Sequence, residues 1–361
     1  MITLLLIGFS QSLFAAILMF TKKESALPDK ILSGMLTLLA IEFLTCVVDY
    51  AVYSQPLLSS SFLLFNPAFY IYIQSLTSTR FNLRYTHLLH LLPFIGFESY
   101  AYLLSEPLSL DTYFIRDDQF VFRMFFGAAN VLSWLIYHPI SLRLVHRHRI
   151  HLRNELSRIE SNESLGWVLF IAIFYVVYCI VAVAIYGLLF TGSIHPLSPH
   201  FFNYAALLCM IYIMSAYGLR QTQLPPVLLH QNGNSTYQHS TLSQESKEKI
   251  ARQLTEFFNE KKPWLNPDLN MDFLANALNV PKYQITEVLN TRLGNNFFQF
   301  VNLYRVEEVK KMLADPANKY SIEAIGYECG FASKSAFYTV FKQVTRTTPH
   351  DYRTQQLRKK S

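Results

Sequence analysis

The chain has 361 residues, 51% of them hydrophobic, with 22 Tyr, 29 Phe and a mean hydropathy of +0.20, which is room for two or more domains. Residues 1–245 carry 13 Lys+Arg against 13 Asp+Glu, and residues 246–361 carry 18 against 12, so the whole net charge of +6 lies in the last third, where charge alone suits a polyanionic partner and a merely soluble basic domain equally. Cys46, Cys179 and Cys209 sit in apolar segments and Cys329 stands alone near the C-terminus, a spacing that indicates neither a disulfide framework nor a zinc site.

In chain order, apolar segments run over residues 2–20, 31–53, 57–78, 87–104, 120–145, 165–190 and 200–219. Most approach the ~20 residues that cross a bilayer as a helix. The first has no basic residue before it, and Lys22 and Lys23 follow it, so it reads as a retained helix with its N-terminus outside. Loop charges agree. One set of loops holds Lys22, Lys23, Lys30, Arg80, Arg84, Arg143, Arg147, Arg149, Arg153, Arg158 and Arg220, whereas the other holds Arg116 beside Asp111, Asp117 and Asp118. By the positive-inside rule the first set is cytoplasmic, and seven crossings leave the C-terminus in the cytoplasm. The run His146–His151 reads as a basic juxtamembrane loop, not a metal site.

Residues 221–245 form a linker: Pro225 and Pro226 stop the preceding helix, and Gln231 to Ser240 is polar. As a flexible coil it spans roughly 25–30 Å. Beyond it, Ile250, Leu254, Phe257 and Phe258 share one helix face, and Pro263 to Pro267 end that helix. Residues 271–294 predict two helices around a turn at Asn279-Val280, with Leu274, Ala275, Leu278, Ile285 and Leu289 as core. A longer helix follows, marked by Phe297, Val301, Tyr304, Met312 and Leu313. Residues 321–353 repeat the pattern: Ser321 caps a helix, Gly330 supplies a turn, Ser333 caps a second helix, and Thr348-Pro349 opens a third. In the second helix Phe337, Phe341 and Val344 face inward while Lys334, Ser335, Tyr338, Thr339 and Lys342 face out.

The C-terminal motif, through Ile322, Ile325, Gly326, Gly330, Phe331, Ser333, Ser335, Phe337, Phe341, Lys342, Thr348, Pro349, Tyr352 and Arg353, resembles the closing signature of the AraC/XylS family of bacterial transcription regulators. Leu274, Ala275, Val280, Tyr283, Gly294, Phe297 and Arg305 extend the resemblance to about residues 250–353. Two positions depart from it: Arg346 stands where the family usually has Gly, and Pro281 where it usually has Ser. The resemblance implies a seven-helix domain with two helix-turn-helix subdomains sharing the long connecting helix. It also implies double-stranded DNA as partner, read in the major groove. By position in the family pattern the first reading helix offers Lys282, Tyr283, Thr286 and Glu287, and the second Lys334, Ser335 and Thr339. For each, base contact competes with a merely solvated helix face. Lys342, Arg292 and Arg353 read as phosphate contacts or structural pairs.

Charged groups inside a bilayer are costly and are candidates for function. Glu42 and Asp49 share a helix face with Cys46; His87, His90 and Glu98 share another; Arg123 is a natural counter-ion for Glu42, Asp49 or Glu98. Two readings stand. These groups pair to hold the bundle together, or they line a site for a small ligand or a proton-linked switch.

The sequence thus predicts an all-α chain: a seven-transmembrane bundle (1–220), a linker (221–245) and a DNA-binding domain (246–361). The expected protein is a regulator anchored in the bacterial cytoplasmic membrane. Its partners are DNA, the bilayer, a small-molecule or membrane signal, and a second copy in a homodimer. No catalytic triad, phosphate-binding Gly-rich loop or HExxH is visible, so neither an enzyme nor a cofactor is expected. A transporter or receptor with a regulatory tail is the alternative, with Pro67 in the third segment as its hint.

Overall fold

The structure, a computed structural model, describes residues 1–23, 25–54, 57, 60–78, 81–105, 116–159, 164–190, 199–221 and 242–360. Most of the linker read at 221–245 lies outside these residues, as do Arg80, Asp111 and the side chain of Cys179. The described residues are all-helical, with no strand; Leu156 and Asn270 pair in an isolated antiparallel β-bridge. The chain divides into two compact units, Met1–His148 with Ser161–Leu224 and Arg149–Glu160 with Pro225–Ser361.

The first unit holds α1 (Ile2–Phe20), α2 (Leu27–Tyr53), α3 (Ser61–Thr77), a 3-10 turn (Tyr85–Leu91), α4 (Leu92–Leu104), most of α5 (Phe120–Glu155), α6 (Gly166–Phe190) and α7 (Pro199–Arg220). Ile2–Phe20, Leu27–Tyr53, Phe120–Glu155 and Phe201–Arg220 are, among the described residues, long and apolar enough to cross a membrane. The stretch expected to cross at 87–104 is split between the 3-10 turn and the 13 residues of α4. At 1.5 Å per residue α4 alone reaches about 20 Å, short of a ~30 Å hydrocarbon core.

The side-chain distribution of this unit is inverted relative to a water-soluble bundle. Phe14, Ile17 and Phe20 on α1 and Ile41, Val48 and Val52 on α2 are exposed, while Glu42, Asp49, Asn66 and Arg123 are buried. Water would penalise that arrangement, and a bilayer would not. The apolar helices are therefore compatible with a membrane domain. Helices α1 and α2 pair closely: Phe43 fills the space beside Gly8, where a β-carbon would run into the ring, and Ser33 Oγ donates to the Ala16 carbonyl at 2.7 Å. Lys22 pairs with Asp29 at 2.9 Å and donates to the carbonyls of Gly218 and Gln221, placing a cation on the C-terminal end of α7.

The second unit contains α8 (Gln244–Lys261), a 3-10 turn (Pro263–Leu265), α9 (Met271–Leu278), α10 (Lys282–Thr291), α11 (Phe297–Ala314), α12 (Ile322–Glu328), α13 (Lys334–Thr345) and α14 (Pro349–Lys360). Its helix starts follow local chemistry. Asn270, Ser321 and Ser333 each accept a hydrogen bond from the backbone N–H three residues on. Asn296 and Gln299 form a reciprocal capping box. Helix α11 serves two cores. Phe297, Phe300 and Val301 pack with Leu254, Phe258, Leu274, Ile285 and Leu289, and Val306, Val309 and Leu313 pack with Ile325, Phe331, Phe337 and Phe341.

Candidate nucleic-acid interface

In the second helix-turn-helix, α12 ends at Cys329 and Gly330 turns the chain with φ +84, a left-handed conformation that glycine takes without steric cost. The Phe331–Phe337, Phe337–Phe341 and Phe341–Tyr352 rings then pack at centroid distances of 5.3, 5.9 and 5.6 Å. With those rings inward, α13 leaves Lys334, Ser335, Thr339 and Lys342 exposed. Lys334 bonds Glu323 at 2.8 Å and lies 5.6 Å from the centre of the Tyr338 ring. Its hydrogen bond to Glu323 raises the Lys334 pKa and lowers that of Glu323, so both stay charged at neutral pH. Arg353, read as a phosphate contact or a structural pair, donates to the carbonyls of Tyr320 and Asn318 at 3.1 and 2.9 Å.

The first helix-turn-helix departs from the expected reading surface. Tyr283 is 51% exposed. Thr286 and Glu287 are buried instead, because α8 packs over that side of α10. The Thr286 hydroxyl donates within its own helix to the Lys282 carbonyl at 2.9 Å. Glu287, 5% exposed, pairs with Lys247 of α8 at 2.8 Å. Neither side chain is exposed on the face expected to meet a base edge. Arg292 pairs with Glu248 at 3.1 Å, also on α8. Lys282 stands at the first turn of α10 between Asp272, at 2.6 Å, and Glu155, at 3.2 Å. Burial pulls its ammonium pKa down, but the two carboxylates outweigh that and leave it raised.

Arg305, matched in the sequence only as one residue of a family pattern, is a structural centre. It is 1% exposed. Its guanidinium donates to the carbonyls of Trp264 and Asn266, at 2.8 Å each, and to the carbonyl and hydroxyl oxygens of Ser157 at 3.1 and 3.2 Å. Burial lowers its pKa to about 10, well above neutrality. No sequence signal pairs Arg305 with Ser157, which lies 148 residues away.

In the first unit, Glu42 and Asp49 are buried on one face of α2, with Cys46 between them. Tyr204 Oη donates to Glu42 at 3.4 Å, Tyr102 Oη to Asp49 at 2.5 Å, and the backbone and hydroxyl of Ser60 to Glu98 at 3.1 and 2.8 Å. Arg123, expected opposite one of these carboxylates, meets Asp117 at 2.6 Å. His90 bonds the Tyr137 hydroxyl at 2.7 Å, and His87 closes back on the Arg84 backbone at 3.0 Å.

Residues 274–355 match a family described as a helix-turn-helix domain. No curated protein matches the chain. A solved structure of a protein of unknown function from Listeria innocua aligns with 29% of this chain and 94% of its own, at 23% identity and a TM-score of 0.26, a likeness too low to carry an argument. The match places a helix-turn-helix domain of the AraC/XylS type in the C-terminal part of the chain, which suggests DNA-binding transcription regulation.

Proposed function

We propose that the protein is a membrane-anchored transcription regulator whose second unit binds promoter DNA in the major groove and whose first unit senses a signal. The observation that carries the DNA reading is the exposed face of α13 — Lys334, Ser335, Thr339 and Lys342 — held by a packed aromatic core within the matched domain. Lys334 suits guanine O6 and N7, and Lys342 suits a phosphate. On α10 the exposed face offers Lys282 and Tyr283, and the exposed Tyr283 ring suits a thymine methyl. The apolar exterior of the first unit supports membrane anchoring, and the loop charges support an N-terminus outside and a DNA-binding domain in the cytoplasm.

For sensing, the buried hydroxyl–carboxylate pairs Tyr204–Glu42, Tyr102–Asp49 and Ser60–Glu98 supply groups whose protonation or ligand contacts can differ between two states of the bundle. Glu42→Gln or Asp49→Asn should abolish the response while leaving the protein in the membrane. Loss of the protein itself would assign these carboxylates to structure.

The DNA reading is tested by crosslinking living cells, capturing the full-length protein from washed membranes and sequencing the attached DNA. A Lys334→Ala, Tyr283→Ala form is the control. Discrete enriched sites absent from the control are expected. Lys334→Ala alone should weaken the enriched site more than random DNA; equal losses would make Lys334 a backbone contact.

A further inference from the structure

We propose that Glu155–Ser157 is a built-in occupant of the DNA-binding unit that competes with DNA for Lys282, an inference that rests on the DNA-binding reading above. The residues Arg149–Glu160 follow the fifth apolar segment in sequence, yet they pack as part of the second unit. Leu156 pairs with Asn270, the residue that caps α9, and Ser157 N–H donates to the Leu269 carbonyl at 3.2 Å. The Ser157 carbonyl accepts from Asn302 Nδ2 and Arg305 Nη1, at 3.1 Å each, and its hydroxyl accepts from Arg305 Nη2 at 3.2 Å. Ser157, Asn302 and Arg305 are all buried.

This is a receptor slot, not a surface the chain happens to cross. Without Ser157, Arg305 Nη1, Arg305 Nη2 and Asn302 Nδ2 each lose one acceptor and keep another, in Asn302, Asn266 and Phe298, so the segment is favoured in the slot and still displaceable. The registered pairing of Leu156 with Asn270 then fixes where Glu155 falls. Its carboxylate lands 3.2 Å from Lys282 Nζ, at the opening turn of α10. There Glu155 and Asp272 together engage the Lys282 ammonium. Two carboxylates take two of the three donors of the Lys282 ammonium and offset its charge, so a phosphate or a guanine edge competes with the segment for Lys282. Because Glu155 is also the last residue of α5, a signal that shifts α5 has a direct route to this contact.

The test uses the full-length protein in detergent, with Leu156→Cys and Asn270→Cys introduced together and each alone as controls. Facing residues of an antiparallel bridge have Cα atoms about 4.5–5.5 Å apart, within the roughly 4.4–6.8 Å span of a disulfide. The DNA probe is the duplex enriched by the wild-type protein from a random-sequence pool. Oxidation should lock the occupant in place and weaken binding to that duplex about tenfold, with reductant restoring it. Glu155→Gln should tighten binding several-fold, and adding Lys282→Ala should erase that gain. Equal binding by locked and reduced forms, or no disulfide under oxidation, overturns the competition while leaving the DNA reading intact. If no form, wild type included, enriches a duplex, the DNA reading itself falls and the competition falls with it.

Discussion

Lys247 Nζ and Glu287 Oε1 stand 2.8 Å apart at the contact between α8 and α10. The first reading helix thus turns its acidic side chain toward a neighbouring helix and not toward solvent. Removing one partner of such a pair leaves the other charge without compensation. Lys247 keeps some access to water, so Glu287→Ala should cost about 2 kcal/mol, below the full cost of a buried pair. We expect the melting temperature of the variant in detergent to fall by several degrees while the enriched DNA sequence stays the same. A changed base preference at unchanged stability would return Glu287 to the DNA side.

Gly330 tolerates no side chain. Its φ of +84 is left-handed, and a β-carbon there would collide with the Trp264 carbonyl oxygen and lie 2.9 Å from that of Leu265. Both obstacles are backbone, and the Trp264 carbonyl is also fixed by Arg305. Gly330→Ala should therefore cost about 3 kcal/mol or more, combining backbone strain with overpacking. The check is limited proteolysis and thermal unfolding beside Gly294→Ala. Gly294 shares a positive φ, of 66, but a β-carbon added there would meet nothing within 4 Å, so it should suffer only the strain. Equal losses in the two variants would show that the Trp264 contact is unimportant.

Arg346 ends α13 with φ 63, a conformation L-residues adopt at a cost. Its side chain is exposed, so no buried contact offsets that cost. Arg346→Gly should raise stability by about 0.5–1 kcal/mol through relief at the helix end. It should also weaken DNA binding slightly and equally on all sequences if the guanidinium meets a phosphate. A drop in stability would mean that the side chain holds the end of α13 in place.

The second helix-turn-helix was largely legible in the sequence because its determinants are local. Ser321, Ser333 and Gly330 act on the residues beside them, and the spacing of Phe337 and Phe341 fixes which face of α13 is left for Lys334 and Thr339. The face of α10 was not legible. Which side α8 covers depends on tertiary packing, so Thr286 and Glu287 fit a family position while lying on the buried side. Ser157 was hidden for a related reason: in a basic stretch after an apolar segment, nothing local marks a serine for a buried arginine so distant in sequence. The carboxylates of α2 were visible as costly charges, but their hydroxyl partners Tyr102 and Tyr204 come from other helices and carry no spacing signal.

Glu323 and Lys334 provide a pH-dependent readout of the reading face. Glu323 has its pKa lowered first of all by the hydrogen bond from Lys334, and the Tyr338 hydroxyl adds a weaker one at 3.3 Å. A depressed carboxylate contributes stability that is present above its unfolded pKa and lost as pH falls through the folded value. The raised Lys334 pKa contributes below the unfolded lysine value and is lost as pH rises through the folded one. At neutral pH both contributions are present, and both sit on exposed groups where screening keeps them small. Lys334→Ala should shift the Glu323 titration, followed by carboxyl NMR, up toward the ordinary carboxylate value near ~4.3. It should also flatten the acid side of the stability profile. Glu323→Gln should free Lys334 and remove a negative charge beside it, tightening binding of the enriched duplex several-fold at low salt and less at high salt. A Glu323 titration unmoved by Lys334→Ala would show that the pair does not form in solution, and the gain from Glu323→Gln would then come from charge removal alone.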